Sequence, residues 1–207
     1  MDRVDQILVS GVAFGKNSLG LILRPYETYR RIVDRGSVVE LLPIGLLLAG
    51  YFALASLVKE DTLRPFLLTR QFMVLVGTAG VSFFLVSATL WTVGTIVGGK
   101  GTFSRFVLAW GYTMLPTIAW FLMTSILYLI LPPPRTTRTL GVAFSMLYLV
   151  ISATILFWKI LLGYLSLRFG LRLDLGKIVV VAIVAAPIFA LYSFAMYKLG
   201  VFKVPFL

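Results

Sequence analysis

Neither cysteine nor histidine occurs anywhere in the chain. Their absence excludes disulfides, thiolate nucleophiles, haem ligation by histidine and ordinary zinc sites. It does not identify a redox compartment. Acidic residues are also scarce, with 8 Asp and Glu against 19 Lys and Arg. None of the acids falls well inside an apolar run, so no carboxylate is placed to relay protons across a membrane. Glu40 comes nearest, at the start of such a run, where it is expected to pair with a cation at headgroup level. The opening residues, MDRVDQILVSGVAFG, lack the positive-then-apolar pattern and small-residue cleavage site of a signal peptide, and none is expected here.

What is present is apolar. The residues AVILMFWYC make up 59% of 207, charged residues 13%, and mean hydropathy is +0.98. A soluble domain usually carries about 25% charged residues. Five stretches hold no charge at all: Leu41 to Val58, Gln71 to Gly99, Phe106 to Pro134, Thr139 to Trp158 and Ile178 to Tyr197. A bilayer core takes roughly 20 apolar residues per helix, and five such runs leave too little polar sequence to cover them. The expected fold is an all-α membrane protein. It is a bundle of five transmembrane helices, at about 39–58, 71–97, 104–131, 140–167 and 177–198, with a short N-terminal interfacial amphipathic helix. The domains divide into an N-terminal cytoplasmic or interfacial segment, 1–38, and the transmembrane domain, 39–207.

The net charge of +11 lies between the apolar runs, at headgroup depth, and points to anionic lipid rather than nucleic acid. Residues 1–38, the 98–105 turn and the 168–177 connection hold eleven Lys and Arg between them; the alternate connections and the C-terminus hold seven. The positive-inside rule therefore places the N-terminus in the cytoplasm. In the segment Leu19 to Arg35, Ile22, Tyr26, Tyr29 and Val33 recur at helical spacing, and Pro25 suits a first helical turn. This segment reads as a helix lying in the interface, with Arg24, Arg30 and Arg31 as candidate headgroup contacts, joined by Lys100. The alternative is an amphipathic turn packed on the bundle. The triplet Pro132, Pro133 and Pro134 ends the third helix, while Pro116 and Pro187 predict kinks in the third and fifth.

Candidate chemistry is sparse. Gly94 to Lys100 fits seven positions of a phosphate loop, but Gly101 stands where Ser or Thr should hold magnesium, and the segment follows an apolar helix rather than a strand. A glycine-rich turn is the better reading. Lys159 lies inside the fourth helix, either snorkelling or facing the interior. Ser145, Ser152, Lys159 and Ser166 recur every seven residues, with Tyr148 beside them. Thr113, Thr117 and Thr124, with Trp120, mark the third helix; Thr78, Ser82, Thr89 and Thr92 mark the second. These stripes form a candidate polar seam, serving as packing glue or as a ligand or lipid pathway. A Ser152–Lys159 hydrolytic pair is disfavoured, because two helical turns separate them by about 10 Å, too far for a direct hydrogen bond without a kink. Ala49 and Ala53, Gly94 and Gly98, and Ala182 and Ala186 are small-residue pairs suited to close helix contact. No catalytic residue, cofactor or metal is expected.

Two stretches resemble the YIP-domain family, the membrane proteins named for interaction with Ypt/Rab GTPases, and especially its prokaryotic branch. One is Leu23-Arg24-Pro25-Tyr26-Glu27-Thr28-Tyr29-Arg30-Arg31-Ile32. The other is Gly98-Gly99-Lys100-Gly101-Thr102-Phe103, followed by Gly111-Tyr112 and Leu115-Pro116. Gly163 and Phe169-Gly170-Leu171 before Lys177 are similar to the region between that family's last two helices. The resemblance implies a five-helix bundle with a cytoplasmic N-terminus. Eukaryotic members act in vesicle traffic through GTPases and membrane-shaping partners, using a longer cytosolic region than the 38 residues here. The expected function is a non-catalytic membrane scaffold or partner-binding protein. Its partners would be anionic lipids and either another protein or a second copy of the chain. The alternative is a small transporter, channel or lipid-handling protein built on the Lys159 seam.

Overall fold

The computed structural model describes residues 3–59, 65–130 and 139–200. The expected polar connection at Lys59, Glu60, Asp61 and Arg64 falls largely outside the described residues, as do the Pro132–Pro134 stop, Arg135, Arg138 and Lys203. All regular structure described is helical. The elements are α1 (Arg3–Leu23), α2 (Pro25–Arg35), a 3₁₀ turn (Val38–Glu40), α3 (Leu41–Lys59) and α4 (Pro65–Ile96). There follow α5 (Phe103–Tyr112), α6 (Met114–Ile130), α7 (Thr139–Leu165), a π-helical turn (Ser166–Gly170) and α8 (Leu175–Lys198).

Four helical stretches are long and apolar enough to cross a membrane: Phe72–Ile96, Phe103–Ile126, Gly141–Gly170 and Leu175–Lys198. The chain is thus a multi-span, lipid-embedded protein. Val38–Leu54 is a shorter apolar helix, and so is Val9–Leu23, where no helix was expected before Leu19. The stretch through α5 and α6 is the central pillar, since 56% of its most apolar window is buried, against 6% for Gly141–Gly170. The others turn large apolar side chains outward, among them Met146, Leu149 and Phe157 on α7 and Ile183 and Leu191 on α8. Such faces suit acyl chains.

The expected single helix over Leu19 to Arg35 is two helices. Pro25 has no N–H and pushes the residue before it away from helical geometry. Arg24 accordingly sits at φ −143°, ψ 69°, and α2 begins at Pro25. The helical phase restarts there, so the spacing of Ile22 and Tyr26 with Tyr29 and Val33 does not define one face. Ile22 and Tyr26 are exposed, while Thr28, Tyr29, Ile32 and Val33 are buried. α2 folds back on α1 and packs on α5 and the π-helical turn, as the packed alternative anticipated.

Pro116 breaks the third helix at Thr113. A proline cannot donate to the carbonyl four residues back, here that of Tyr112, and its ring crowds that position. Thr113 instead bonds the Trp110 carbonyl, through its N–H at 3.0 Å and its hydroxyl at 2.7 Å. α8, in contrast, runs through Pro187 without a break.

Glycines seat the turn between α4 and α5 on the α7–α8 connection. Gly98 takes φ +99°, which side chains resist. The Lys100 N–H then donates to the Leu171 carbonyl at 2.9 Å, and the Trp91 indole N–H donates to the Gly101 carbonyl at 3.2 Å. A Cβ on Gly101 would overlap the Gly170 carbonyl, and one on Gly94 would overlap the Leu171 side chain. Gly94 therefore serves the connection rather than a neighbouring helix. Arg172, left-handed at φ 57°, lets Leu171 and Leu173 both point inward, where they are fully buried.

The Gly101→Ala variant is expected to lose about 1–3 kcal/mol through overpacking. Gly77→Ala, where a Cβ meets nothing within 4 Å, should stay within about 1 kcal/mol of the parent. Thermal unfolding of both variants in one detergent checks the pair, and equal midpoints would contradict the packing argument.

Candidate functional site

Among the described residues Glu40 is the buried acid, 3% exposed. Burying a carboxylate costs several kcal/mol unless donors replace its water. Three donors do so. Its own turn supplies one: the Ser37 N–H donates to Glu40 Oε1 at 3.0 Å, while Ser37 Oγ accepts from the Val39 N–H at 3.3 Å. α1 supplies the second, from Asn17 Nδ2 to Glu40 Oε2 at 2.9 Å. α5 supplies the third, in a short bond from the Tyr112 hydroxyl to the same oxygen. Asn17 Nδ2 also lies 3.3 Å from that hydroxyl, and Arg31 Nε donates to Asn17 Oδ1 at 3.2 Å. The cation that sequence reasoning expected beside Glu40 is therefore one residue removed, with Asn17 between. Beside the cluster, the Tyr29 hydroxyl donates to the Ala109 carbonyl at 3.3 Å. Burial, and Tyr112 nearby, hold the Tyr29 phenol well above its usual pKa, so it stays a neutral donor.

Sequence reasoning missed Asn17 and Tyr112 as partners of Glu40. The available signals were the position of Glu40 at the mouth of an apolar run and the Ser37-to-Glu40 spacing of a capping box, which the structure forms. Nothing local marked Asn17, whose partners lie 14, 23 and 95 residues away.

The residues of the candidate seam have mostly local bonds. Ser145 Oγ donates to the Gly141 carbonyl at 2.9 Å, Thr113 to the Trp110 carbonyl, Thr124 to the Phe121 carbonyl, and Ser166 to the Gly163 carbonyl. Trp120 joins α6 to α7: its indole N–H donates to Ser152 Oγ at 2.9 Å, and its ring lies 6.3 Å from that of Tyr148. Lys159 is half-buried, and the Thr117 hydroxyl is buried with no hydrogen-bond partner among the described residues. The second-helix stripe faces elsewhere, since Ser82 meets the Tyr192 hydroxyl of α8 at 2.6 Å.

The four candidate headgroup cations, Arg24, Arg30, Arg31 and Lys100, are all exposed. The elements that carry them meet at one end of the bundle. α2 packs on the π-helical turn, where the Tyr26 ring meets that of Phe169 edge-on at 4.8 Å, and that connection in turn holds the Lys100 backbone. Arg172 and Lys177 are exposed on the same connection and the start of α8. Arg24 pairs with Glu27 at 3.7 Å and Arg30 with Asp34 at 4.0 Å, both on the surface.

Removing the Glu40 side chain leaves three donors unsatisfied, two of them on other elements. Glu40→Ala is expected to cost about 2–4 kcal/mol, and Tyr112→Phe about 1–2 kcal/mol. A double-mutant cycle between Glu40→Gln and Tyr112→Phe should show coupling of about 1 kcal/mol or more. Additivity would mean that the bond contributes nothing.

Among the described residues no group of three or more His, Cys, Asp and Glu is placed to hold a metal ion. Neither the curated proteins nor the solved structures include a significant match to the chain. A family model, that of the Yip1 domain, matches residues 19–197. The match begins in the last turns of α1 and ends at the close of α8, so it takes in α2, Glu40, the glycine turn and the Tyr112–Pro116 break. On that match, over most of its length, the chain belongs to the Yip1-domain family.

Proposed function

We propose that this chain is a non-catalytic membrane scaffold of the prokaryotic type within the family. In this reading it holds a cationic cytoplasmic face against anionic lipids and docks a protein partner or a second copy, in membrane organisation or trafficking. The observation that carries the reading is the gathering of exposed cations from α2, the glycine turn and the α7–α8 connection at one end of the bundle. Cations at headgroup depth attract anionic lipid by about 1 kcal/mol each. The same end is the cytoplasmic one under the positive-inside rule.

In this reading α3 is the fifth span and the N-terminus is cytoplasmic. Two features support it. The 19 residues of α3 reach about 28 Å at 1.5 Å per residue. The Tyr51 ring stacks on Phe121 at 4.7 Å, and Glu40 meets Tyr112, so α3 and α6 advance together in one direction. Residues 1–38 then form an interfacial segment that α1 and α2 anchor to the bundle. The hydroxyls of the Lys159 stripe bond Trp120 and backbone carbonyls, which favours packing glue over a transport pathway.

The chain has no cysteine, so single cysteines report topology cleanly. Cysteines at Arg30, Lys100 and Arg172 should react with an impermeant maleimide only from the cytoplasmic side. One at Lys198 should react only from the other side. Labelling of Lys100 and Lys198 from the same side would overturn the five-span reading. For the scaffold role, purification from native membranes should recover a stoichiometric protein partner or a dimer. A bare monomer, with Lys159→Met abolishing solute flux in vesicles, would overturn it in favour of transport.

A further inference from the structure

Where α2 folds back on α1, a groove of about 440 Å³ opens, lined by Lys16, Leu19, Gly20 and Leu23 of α1, by Arg24, and by Glu27, Thr28 and Arg31 of α2. Its chemistry is divided. The cations Lys16, Arg24 and Arg31 outnumber the one carboxylate, Glu27, which Arg24 already meets at 3.7 Å. Among the described residues, no carboxylate lies within ion-pair distance of Lys16 or Arg31. The other wall is apolar: Leu19 and Leu23 are 65% and 78% exposed, although each is a leucine of a helix that otherwise joins the core through Leu21. Position 20 lacks a side chain and so lets α2 close on α1 at the groove: a Cβ there would lie 2.5 Å from Thr28 Oγ1 and 3.2 Å from Arg31 Nη2.

We infer that this groove binds one anionic phospholipid, with the phosphate between Lys16, Arg24 and Arg31 and an acyl chain over Leu19 and Leu23. The inference rests on the anionic-lipid reading above and narrows it from a diffuse cationic face to one site. A free phosphate would use the cations but leave the two leucines in water. A lipid matches both walls, and the chain is embedded where lipids are. Arg31 is held for this purpose: its Nε is committed to Asn17, which leaves its two terminal nitrogens to meet a phosphate in the fork geometry that guanidinium favours. Arg30, one residue away, points elsewhere and pairs with Asp34.

The test is native mass spectrometry of the full chain in detergent, titrated with phosphatidylglycerol or phosphatidylcholine. Three proteins are compared: the parent, Lys16→Gln/Arg24→Gln in the groove, and Arg30→Gln/Arg35→Gln, which loses equal charge outside it. All four positions are exposed, and thermal unfolding confirms that the variants fold. The parent should retain one phosphatidylglycerol in preference to phosphatidylcholine. The groove variant should bind it about tenfold more weakly, and the outside variant within twofold of the parent. Equal weakening in both variants would overturn the groove but leave the cationic-face reading standing. No preference for phosphatidylglycerol in the parent would overturn both. Displacement of the lipid by millimolar inorganic phosphate would overturn the lipid as occupant. A Leu19→Asp/Leu23→Asp variant should also lose the lipid, and undiminished binding there would overturn the acyl wall.

Discussion

A carboxylate buried to 3% exposure must be met by donors wherever the chain can bring them, and the architecture at one end of this bundle follows from how Glu40 is met. Its donors come from its own turn, from α1 and from α5. The contact with Tyr112 sets the level at which α3 starts, about one third of the way along the broken third helix. α5 therefore extends beyond the start of α3, and the space left beside it is filled by α1 and α2. Leu21, Tyr29, Ile32 and Val33 enter the core there, against Leu108, Ala109 and Tyr112. The Glu40 cluster ties α1 and α3 to α5 at that depth, and the Tyr29 hydroxyl on the Ala109 carbonyl ties α2 to it.

The second core at this end depends on backbone approach instead. Phe106, Leu167, Leu171, Leu173 and Ile178 close around the turn that Gly98, Gly99 and Gly101 make possible. The two cores share the α5 pillar, so this end is packed like a soluble domain while the rest of α4, α7 and α8 turns apolar side chains outward. This division has a physical reason. Water drives the close packing of apolar groups at an interface but offers no such drive between helices in lipid, where small residues and hydrogen bonds such as Trp120 to Ser152 or Ser82 to Tyr192 hold neighbours together.

The apolar runs made the helices legible, because a bilayer imposes both length and composition on each run. The break in the third helix was legible too, through Pro116, although it falls at Thr113, where the lost hydrogen bond acts rather than where the ring sits. The glycine turn was read as a turn; that it is the seat for Gly170 and Leu171 was not, because a missing side chain does not say what will occupy its place. The interfacial face was misread across Arg24, since helical spacing has meaning only within one continuous helix. Asn17 and Tyr112 were illegible as partners for a further reason. Each is one polar residue in an apolar setting, and its role depends on elements distant in sequence. The seam through Ser145, Ser152 and Lys159 showed the opposite: a regular spacing that is plain in the sequence, whose hydroxyls turn to their own backbones and to Trp120.

Arg31 joins the two polar features of this end. Through Nε it supports the Asn17 amide, which fixes which way that amide points and so which of its atoms reaches Glu40. Arg31 also lines the groove between α1 and α2. An anion there would hold the guanidinium in place, and the guanidinium would hold Asn17 with its N–H groups toward the carboxylate. The positive charge of Arg31 and the negative charge of Glu40 are thus linked by an oriented amide rather than by direct contact. That arrangement lets the cation remain at the surface while the anion stays buried, and a direct ion pair would satisfy Glu40 only by withdrawing Arg31 from the groove.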